Sequence, residues 1–394
     1  MATGIVTVTI AEAAAAQADP GTTSLVILDT SANIAAGLDS LPGLTKLSSI
    51  RTADPGFVVA GYTWFAANPA TVGLFATRVL DIHEVPASQT LGPQGNAKVN
   101  SFSVADTAAQ VAKYFSTLNQ RSRLDGITVT DGKPIVLTAS QFASYTYARA
   151  RVVSGFGFTV TGATVAAAAA LEADTTVAGF TIADTASRIT AAINDLPAMP
   201  HLTSIKVSGT GTVAVSYAWF VANPATLALF STRVVDVHDV PAGLTLAVQG
   251  SAHVVNFTVT DTAAEIGSHF SALNQRTRMD GITVTDGAPI ALTATQFASY
   301  TYARSVITAG TRFTVSSAVV AVAAGLQADT TVSGFTVADT SANVTAGLDT
   351  LGGLTRMTAI RLTDTGTVTA PYSWFATHTA IANLLTTRDL DVHD

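Results

Sequence analysis

FTVADTSANVTAGLDTL, residues 335–351, decides the fold, because its plan is written five times in this chain. Phe335-Thr336-Val337 alternates apolar and hydroxyl side chains with a period of two, the pattern of a half-buried strand. Asp339-Thr340 ends that run. Behind it, Val344, Leu348 and Leu351 fall at i, i+4 and i+7, the apolar stripe of an amphipathic helix. The stripe recurs as Ile34, Leu38, Leu41; Val111, Phe115, Leu118; Ile189, Ile193, Leu196; and Ile266, Phe270, Leu273. The Asp-Thr pairs stand at 29–30, 106–107, 184–185, 261–262 and 339–340, spaced by 77, 78, 77 and 78 residues.

Alternate copies are closer kin. Trp64, Trp219 and Trp374, and Asp81, Asp236 and Asp391, recur at 155 residues and mark one type of unit, A; the units opened by Asp106 and Asp261 are a second type, B. The repeats therefore run as the end of a B-type repeat over 1–20, A over 21–98, B over 99–175, A over 176–253, B over 254–330, and an incomplete A over 331–394. Self-similarity at a fixed period marks an architecture in which each unit leaves an apolar face for its neighbour to cover.

The B units add detail. ITVTDGKPIVLTASQF, residues 127–142, reads as a strand, an Asp131-Gly132 turn, an extended piece and a helix start. Thr138 with Gln141, and Thr293 with Gln296, have the spacing of a capping box, as do Thr107 with Gln110 and Thr262 with Glu265. A third strand follows at Phe158–Val160 in the second copy and Val79–Ile82 in the first, and B units append an alanine-rich helix over Thr164–Leu171. Strands alternating with helices favour parallel pairing. Strands of one sheet lie about 4.8 Å apart and packed helices roughly 8–10 Å, so two strands per rung on a shared sheet would match the helix spacing. The expected fold class is α/β, an elongated solenoid of mainly parallel strands and short helices; a row of separate α/β domains is the alternative.

Composition narrows the function classes. Charged residues make up 12% of the 394, and the net charge is -7. Arg and Lys are scattered, which gives no electrostatic footprint for nucleic acid. The chain has no cysteine, so neither disulfides nor thiolate metal sites are available. MATGIVTVTIAEAAAAQAD carries no Lys or Arg ahead of its apolar part and does not read as a cleavable signal peptide. The longest apolar run, around 163–171, is about half of a membrane span.

The two quoted phrases, 335–351 and 127–142, resemble repeats of large, secreted, cysteine-free bacterial surface proteins of the adhesin or matrix type. The likeness covers most of the chain and rests on Asp-Thr-Ala helix starts, Leu-Asp-x-Leu helix ends and Thr-Asp-Gly turns. It implies no enzymatic activity, an extracellular or cell-surface location, and export by a type I secretion route. The glycine-rich calcium nonapeptide of many such proteins is missing here.

Three sets of residues are candidates for chemistry. Asp81-x-His83-Glu84, Asp236-x-His238-Asp239 and Asp391-x-His393-Asp394 place a carboxylate and an imidazole on one face of a strand, where an N/O metal site is conceivable. Each supplies only two or three ligands, so a solvated strand edge is the stronger reading. The five Asp of the Asp-Thr pairs form a column that calcium would neutralise, although helix capping already explains each one. Tyr145 and Tyr147 recur as Tyr300 and Tyr302, and Tyr62, Tyr217 and Tyr372 precede each Trp. Regular aromatics stack on sugar rings of a polysaccharide, or serve as core and assembly contacts, the better reading. Arg121, Arg123, Arg276 and Arg278 suggest charge pairing with Asp125 and Asp280. His201, His253, His269 and His378 recur in no second copy and look incidental. Gly155-Phe156-Gly157 lacks the third glycine of a dinucleotide fingerprint and runs into a strand.

The sequence thus predicts a non-enzymatic structural repeat protein without a required cofactor, joining copies of itself head to tail into a fibre or lattice, since neither end carries a polar capping repeat. The alternative is an adhesin segment holding a polysaccharide on an aromatic, hydroxyl-rich face, and a third possibility is an intracellular scaffold.

Overall fold

The structure is a computed structural model that describes residues 3–386 and 390–394. The first two residues of the run read for a signal peptide lie outside the described residues. The chain divides into two compact units, 1–184 with 198–206, and 185–197 with 207–394.

The first unit holds three sheets. One is β1 (Thr3–Val8), β2 (Thr22–Asp29) and β3 (Leu47–Thr52). The next is β4 (Val58–Gly61), β5 (Leu80–Val85), β6 (Val99–Asp106) and β7 (Leu124–Val129), and the third is β8 (Ile135–Thr138), β9 (Phe158–Ala163), β10 (Val177–Asp184) and β11 (Leu202–Val207), whose last residue belongs to the second unit. The second unit repeats the plan with β12 (Val213–Ser216), β13 (Val235–Val240), β14 (Val254–Asp261) and β15 (Met279–Val284). Then come β16 (Ile290–Thr293), β17 (Phe313–Ala318), β18 (Val332–Asp339) and β19 (Met357–Leu362), and finally β20 (Val368–Pro371) with β21 (Leu390–His393). Neighbours pair in parallel and in sequence order, as in β4–β5–β6–β7 and β16–β17–β18–β19.

The fold is therefore α/β with repeated parallel sheets and short helices, but its strands are grouped differently from two per rung on a shared sheet. Among the described residues the strands form four sheets of four, with one sheet of three before them in the chain and one of two after, and each repeat divides its strands between two successive sheets. The link between sheets gives the reason: β7 and β8 are joined by 130–134 alone, with Asp131-Gly132 and Pro134 inside, and Gly132 has φ +66°. A parallel crossover needs a dozen or more residues, so β8 cannot return beside β7 and opens a new sheet instead. The chain revisits the vacated edge through single bridges, Ile50↔Phe75, Ile127↔Val152, Ile282↔Ile307 and Ile360↔Leu385.

The apolar stripe forms the core. None of the fifteen stripe residues is more than 7% exposed, and burying such a side chain contributes about 1.5–3 kcal/mol. In B units the stripe lies on one unbroken helix, Ala108–Leu118 or Ala263–Leu273. In A units the single helix that the stripe predicts is split: Ser31–Ala36 ends at Gly37 and a 3-10 turn, Leu38–Gly43, carries the rest. The alanine-rich helix spans Val165–Ala173 with Thr164 as N-cap.

Capping follows the sequence in part. Thr138 with Gln141 and Thr293 with Gln296 form complete capping boxes. At Thr107 and Thr262 only half the box forms, because the Asp before each Thr is nearer: Asp106 Oδ1 accepts from Thr107 N–H at 2.8 Å, and Asp261 Oδ1 from Thr262 N–H at 2.8 Å.

Candidate functional site

The repeated polar side chains are joining groups, arranged in three ladders between successive elements. In the first, the second oxygen of each Asp-Thr carboxylate reaches back nineteen residues to a backbone N–H. Asp29 accepts from Ile10, Asp106 from Ala87, Asp184 from Val165, Asp261 from Ala242 and Asp339 from Val320, each within 2.9–3.0 Å. Both oxygens are thereby engaged at Asp29, Asp106, Asp261 and Asp339, whose Oδ1 also takes the following Thr N–H. The Asn33 amide, then the Ile10 N–H, lower the Asp29 pKa. Burial pushes the Asp339 pKa up, yet hydrogen bonds from Asn343, Val320 and Thr340 leave it below the ordinary value. The column expected as a calcium ligand set is thus supplied with donors by the chain itself.

The second ladder escaped the sequence reading. Asp54, Asp131, Asp286 and Asp364, in the five-residue links, each accept from the first N–H of a helix twenty-three residues earlier, at Ser31, Ala108, Ala263 and Ser341. Hydrogen bonds from Ala108 and from Ser341 are the leading cause of the lowered pKa of Asp131 and Asp364. The equivalent position in the remaining copy is Gly209, at φ +80°. The signal was visible as an Asp recurring with the period, which the turn dipeptide reading had absorbed.

The third ladder uses an amide twenty-nine residues away. Gln17 accepts from Lys46 N–H, Gln94 from Arg123, Gln249 from Arg278 and Gln327 from Arg356. Their amides donate onward to Thr45, Ser122, Thr277 and Thr355. In the fifth copy Glu172 takes the same N–H, at His201, and its carboxylate lies 2.8 Å from the His201 ring. His201 is therefore not incidental: it stands where the other copies have Lys or Arg. Arg123 and Arg278 donate to the carbonyls of Asn96 and Ser251, and Arg121 and Arg276 to the hydroxyls of Thr90 and Thr245, so these loops bind carbonyls and hydroxyls in place of the expected Asp125 and Asp280.

The Asp-x-His pairs occur on β5, β13 and β21. Asp81 lies 3.0 Å from His83, Asp236 3.5 Å from His238, and Asp391 3.1 Å from His393. β5 and β13 are paired on both sides, so a solvated strand edge does not describe them. The pairs sit on the outward face, since Leu80, Ile82, Val235 and Val237 are fully buried. Ser101 Oγ donates to Asp81 Oδ1 at 3.0 Å, whereas Asp236 Oδ1 has no partner, and burial raises the Asp236 pKa, opposed by His238 and reinforced by Asp280. Among the described residues no three His, Asp or Glu side chains converge as a metal would need. The next residues, Glu84 and Asp239, hold φ +60° and +61°, in the left-handed region, and mark a bulge in each strand.

Tyr145, Tyr147, Tyr300 and Tyr302 are half-buried and turned toward the chain. Tyr147 donates to the Leu124 carbonyl at 3.1 Å with the Arg151 guanidinium over its ring, and Tyr302 donates to Met279. Tyr145 and Tyr300 each pack 6.2 Å from the rings of Phe115 and Phe270. Arg149 and Arg304 lie 3.4 and 3.6 Å over Phe142 and Phe297 and pair with Asp174 and Asp329. Of the tyrosines before each Trp, Tyr372 is 63% exposed. Trp64 Nε1 donates to the Leu38 carbonyl and Trp219 Nε1 to Ile193, both at 3.2 Å, while Trp374 Nε1 has no partner.

No protein-family model and no curated protein matches this chain. No helix among the described residues is long and apolar enough to cross a membrane.

Proposed function

We propose that this chain is a structural repeat protein whose periods continue one another as an elongated solenoid, and that copies join end to end into a fibre or lattice. The observation carrying this reading is the ladder set: the polar residues that recur with the period are used to tie each element to its successor. Each such bond adds about 0.5–1.5 kcal/mol net, and stacked units gain most of their stability from neighbours. A surface made of a neighbour-directed contact repeated five times lends itself to one more repetition between molecules. The resemblance of the repeats to secreted bacterial surface proteins supports an extracellular or cell-surface location.

The adhesin reading has one supporting feature, a hollow of about 210 Å³ on the β16–β19 sheet lined by Thr314, Ser316, Gly334, Thr336 and Thr358. Negative-stain electron microscopy of the purified chain at rising concentration separates the two. Filaments or sheets without added ligand are expected; particles that stay single at every concentration, yet are retained by a polysaccharide column, would replace the structural reading with the adhesin one.

A further inference from the structure

The first and last strands of the described residues belong to the same class, and they differ in how well they suit it. β1, β5, β9, β13, β17 and β21 begin at equivalent positions, at 3, 80, 158, 235, 313 and 390. In the interior members the strand bulges at one residue held in the left-handed region: Glu84, Gly162, Asp239 and Ser317, at φ +60°, +68°, +61° and +58°. The bulge lets the third residue of the strand face inward, and Ile82, Val160, Val237 and Val315 are at most 1% exposed.

β1 has Thr7 at the bulge position, and a β-branched residue resists positive φ. β1 therefore runs straight. Its pairing with β2 shows no register shift, so Ile5 lies opposite Ser24, whereas Ile82 and Val237, its interior equivalents, lie opposite Phe102 and Phe257, the equivalents of Leu25. A one-residue slip turns side chains to the other face, and Ile5 is 71% exposed.

β21 has the opposite character. Leu390-Asp391-Val392-His393-Asp394 repeats the β5 and β13 pattern, with an acid again at the bulge position, and β21 holds the class register on β20. Among the described residues its other edge pairs with no strand. The Asp391 side chain is accordingly 54% exposed, against 20% for Asp81 and 18% for Asp236.

We infer that β21 of one copy pairs with β2 of a second copy, taking the place of that copy's β1. The occupant is specified by the internal pairing. In the β5–β6 register, Asp81 faces Ser101 and accepts from its hydroxyl. Ser24 on β2 is the equivalent of Ser101, and the same register sets Ser24 against Asp391 and Leu25 against Val392. The corresponding residues of β10 and β18 are Gly179 and Gly334, which offer no side-chain donor, and that of β14 is Asn256, opposite which Asp236 Oδ1 has no partner. Ser24 Oγ lies 2.6 Å from Ser48 Oγ; with Ser48 as the donor of that bond, Ser24 has its own hydrogen to give to Asp391, at the place where β1 puts Ile5.

This inference rests on the end-to-end reading, and one experiment tells their failures apart. The chain contains no cysteine, so Ser24→Cys and Asp391→Cys are each made as a lone thiol. Paired positions on neighbouring strands lie about 5 Å apart, inside the disulfide range of about 4.4–6.8 Å. The two variants are mixed, oxidised and run on a non-reducing gel, with electron microscopy of the same sample. A disulfide-linked dimer that requires both variants is expected, and deleting residues 1–9, which removes the competing strand, should raise its yield several-fold. Assembled particles without the mixed disulfide would overturn the strand exchange and leave end-to-end assembly standing. Single particles without crosslink at any concentration would overturn both.

Discussion

Trp219 and Trp374 occupy the same place in the repeat, yet Trp219 Nε1 has a hydrogen bond and Trp374 Nε1 has none, and the cause lies four residues beyond the carbonyl that Trp219 uses. The carbonyl that Trp219 uses belongs to Ile193, and four residues on is Pro197; for Trp64 the pair is Leu38 and Pro42. Proline has no N–H, so the carbonyl four residues before it loses its helical donor and is left for the indole. In the third A copy the position is Gly352, and Leu348–Gly352 is α-helical where Leu38–Gly43 and Leu196–Ala198 are 3-10. Gly352 brings back the N–H, and Trp374 Nε1 is buried without a partner. The neighbouring Asn68 and Asn223, which donate to the Trp carbonyls at 2.9 Å, are replaced by His378, stacked 4.9 Å from Trp374. A Cβ on Gly352 would come within 2.7 Å of that ring, so the two changes are coupled.

Breaking the coupling should have the largest effect. Gly352→Pro alone should destabilise the chain by about 3 kcal/mol, through the clash with His378 and the lost helical bond, measured by chemical denaturation. Adding His378→Asn should recover most of that loss; a double variant no better than the single would refute the coupling. A smaller difference separates Trp219→Phe from Trp374→Phe. The first strands the Ile193 carbonyl, which costs about 1–3 kcal/mol, whereas the second removes an N–H that has no partner. Trp219→Phe should therefore be the more destabilising by at least about 1 kcal/mol, and equal losses would show that the indole bond contributes nothing.

The smallest effect extends the comparison to Asp81 and Asp236, one with the Ser101 donor and one with a bare oxygen. Burial raises the Asp236 pKa, so its ionised form weakens the fold at neutral pH, and that penalty fades as pH falls through the raised value. Asp236→Asn should raise the melting temperature at pH 7, and the gain should shrink in acid. Asp29, Asp131, Asp339 and Asp364 carry the opposite sign. Their lowered values contribute stability that is present above the ordinary carboxylate range and lost as pH falls through the folded values. Cooperative unfolding is expected below about pH 4, followed by circular dichroism; a melting temperature unchanged from pH 6 to 2 would mean the ladders do not contribute.

Much of the fold was legible because its signals are local. Alternation in Phe335-Thr336-Val337 and the stripe through Val344, Leu348 and Leu351 record which side of each element meets water, and all of those stripe residues are buried. The half-formed caps at Thr107 and Thr262 were less legible, since Asp and the longer acid or amide compete for one N–H and only geometry ranks them. At the candidate sites, the sequence singled out Asp29, Asp81 and Tyr147 as repeated, but repetition does not reveal a partner. Asp54, Gln17 and His201 were passed over for the same reason: each answers to a residue more than twenty positions away.

The sequence by itself determined the period, the alternation of strand and helix, and the residues that form the core, because polarity along a chain fixes which faces leave water. Only the tertiary structure decided how the strands divide into sheets, which carboxylate serves which N–H, and why Ile5 and Trp374 depart from their copies. Those outcomes depend on which element arrives alongside, on a five-residue link too short for a crossover, and on a single N–H present at Gly352 and missing at Pro42 and Pro197.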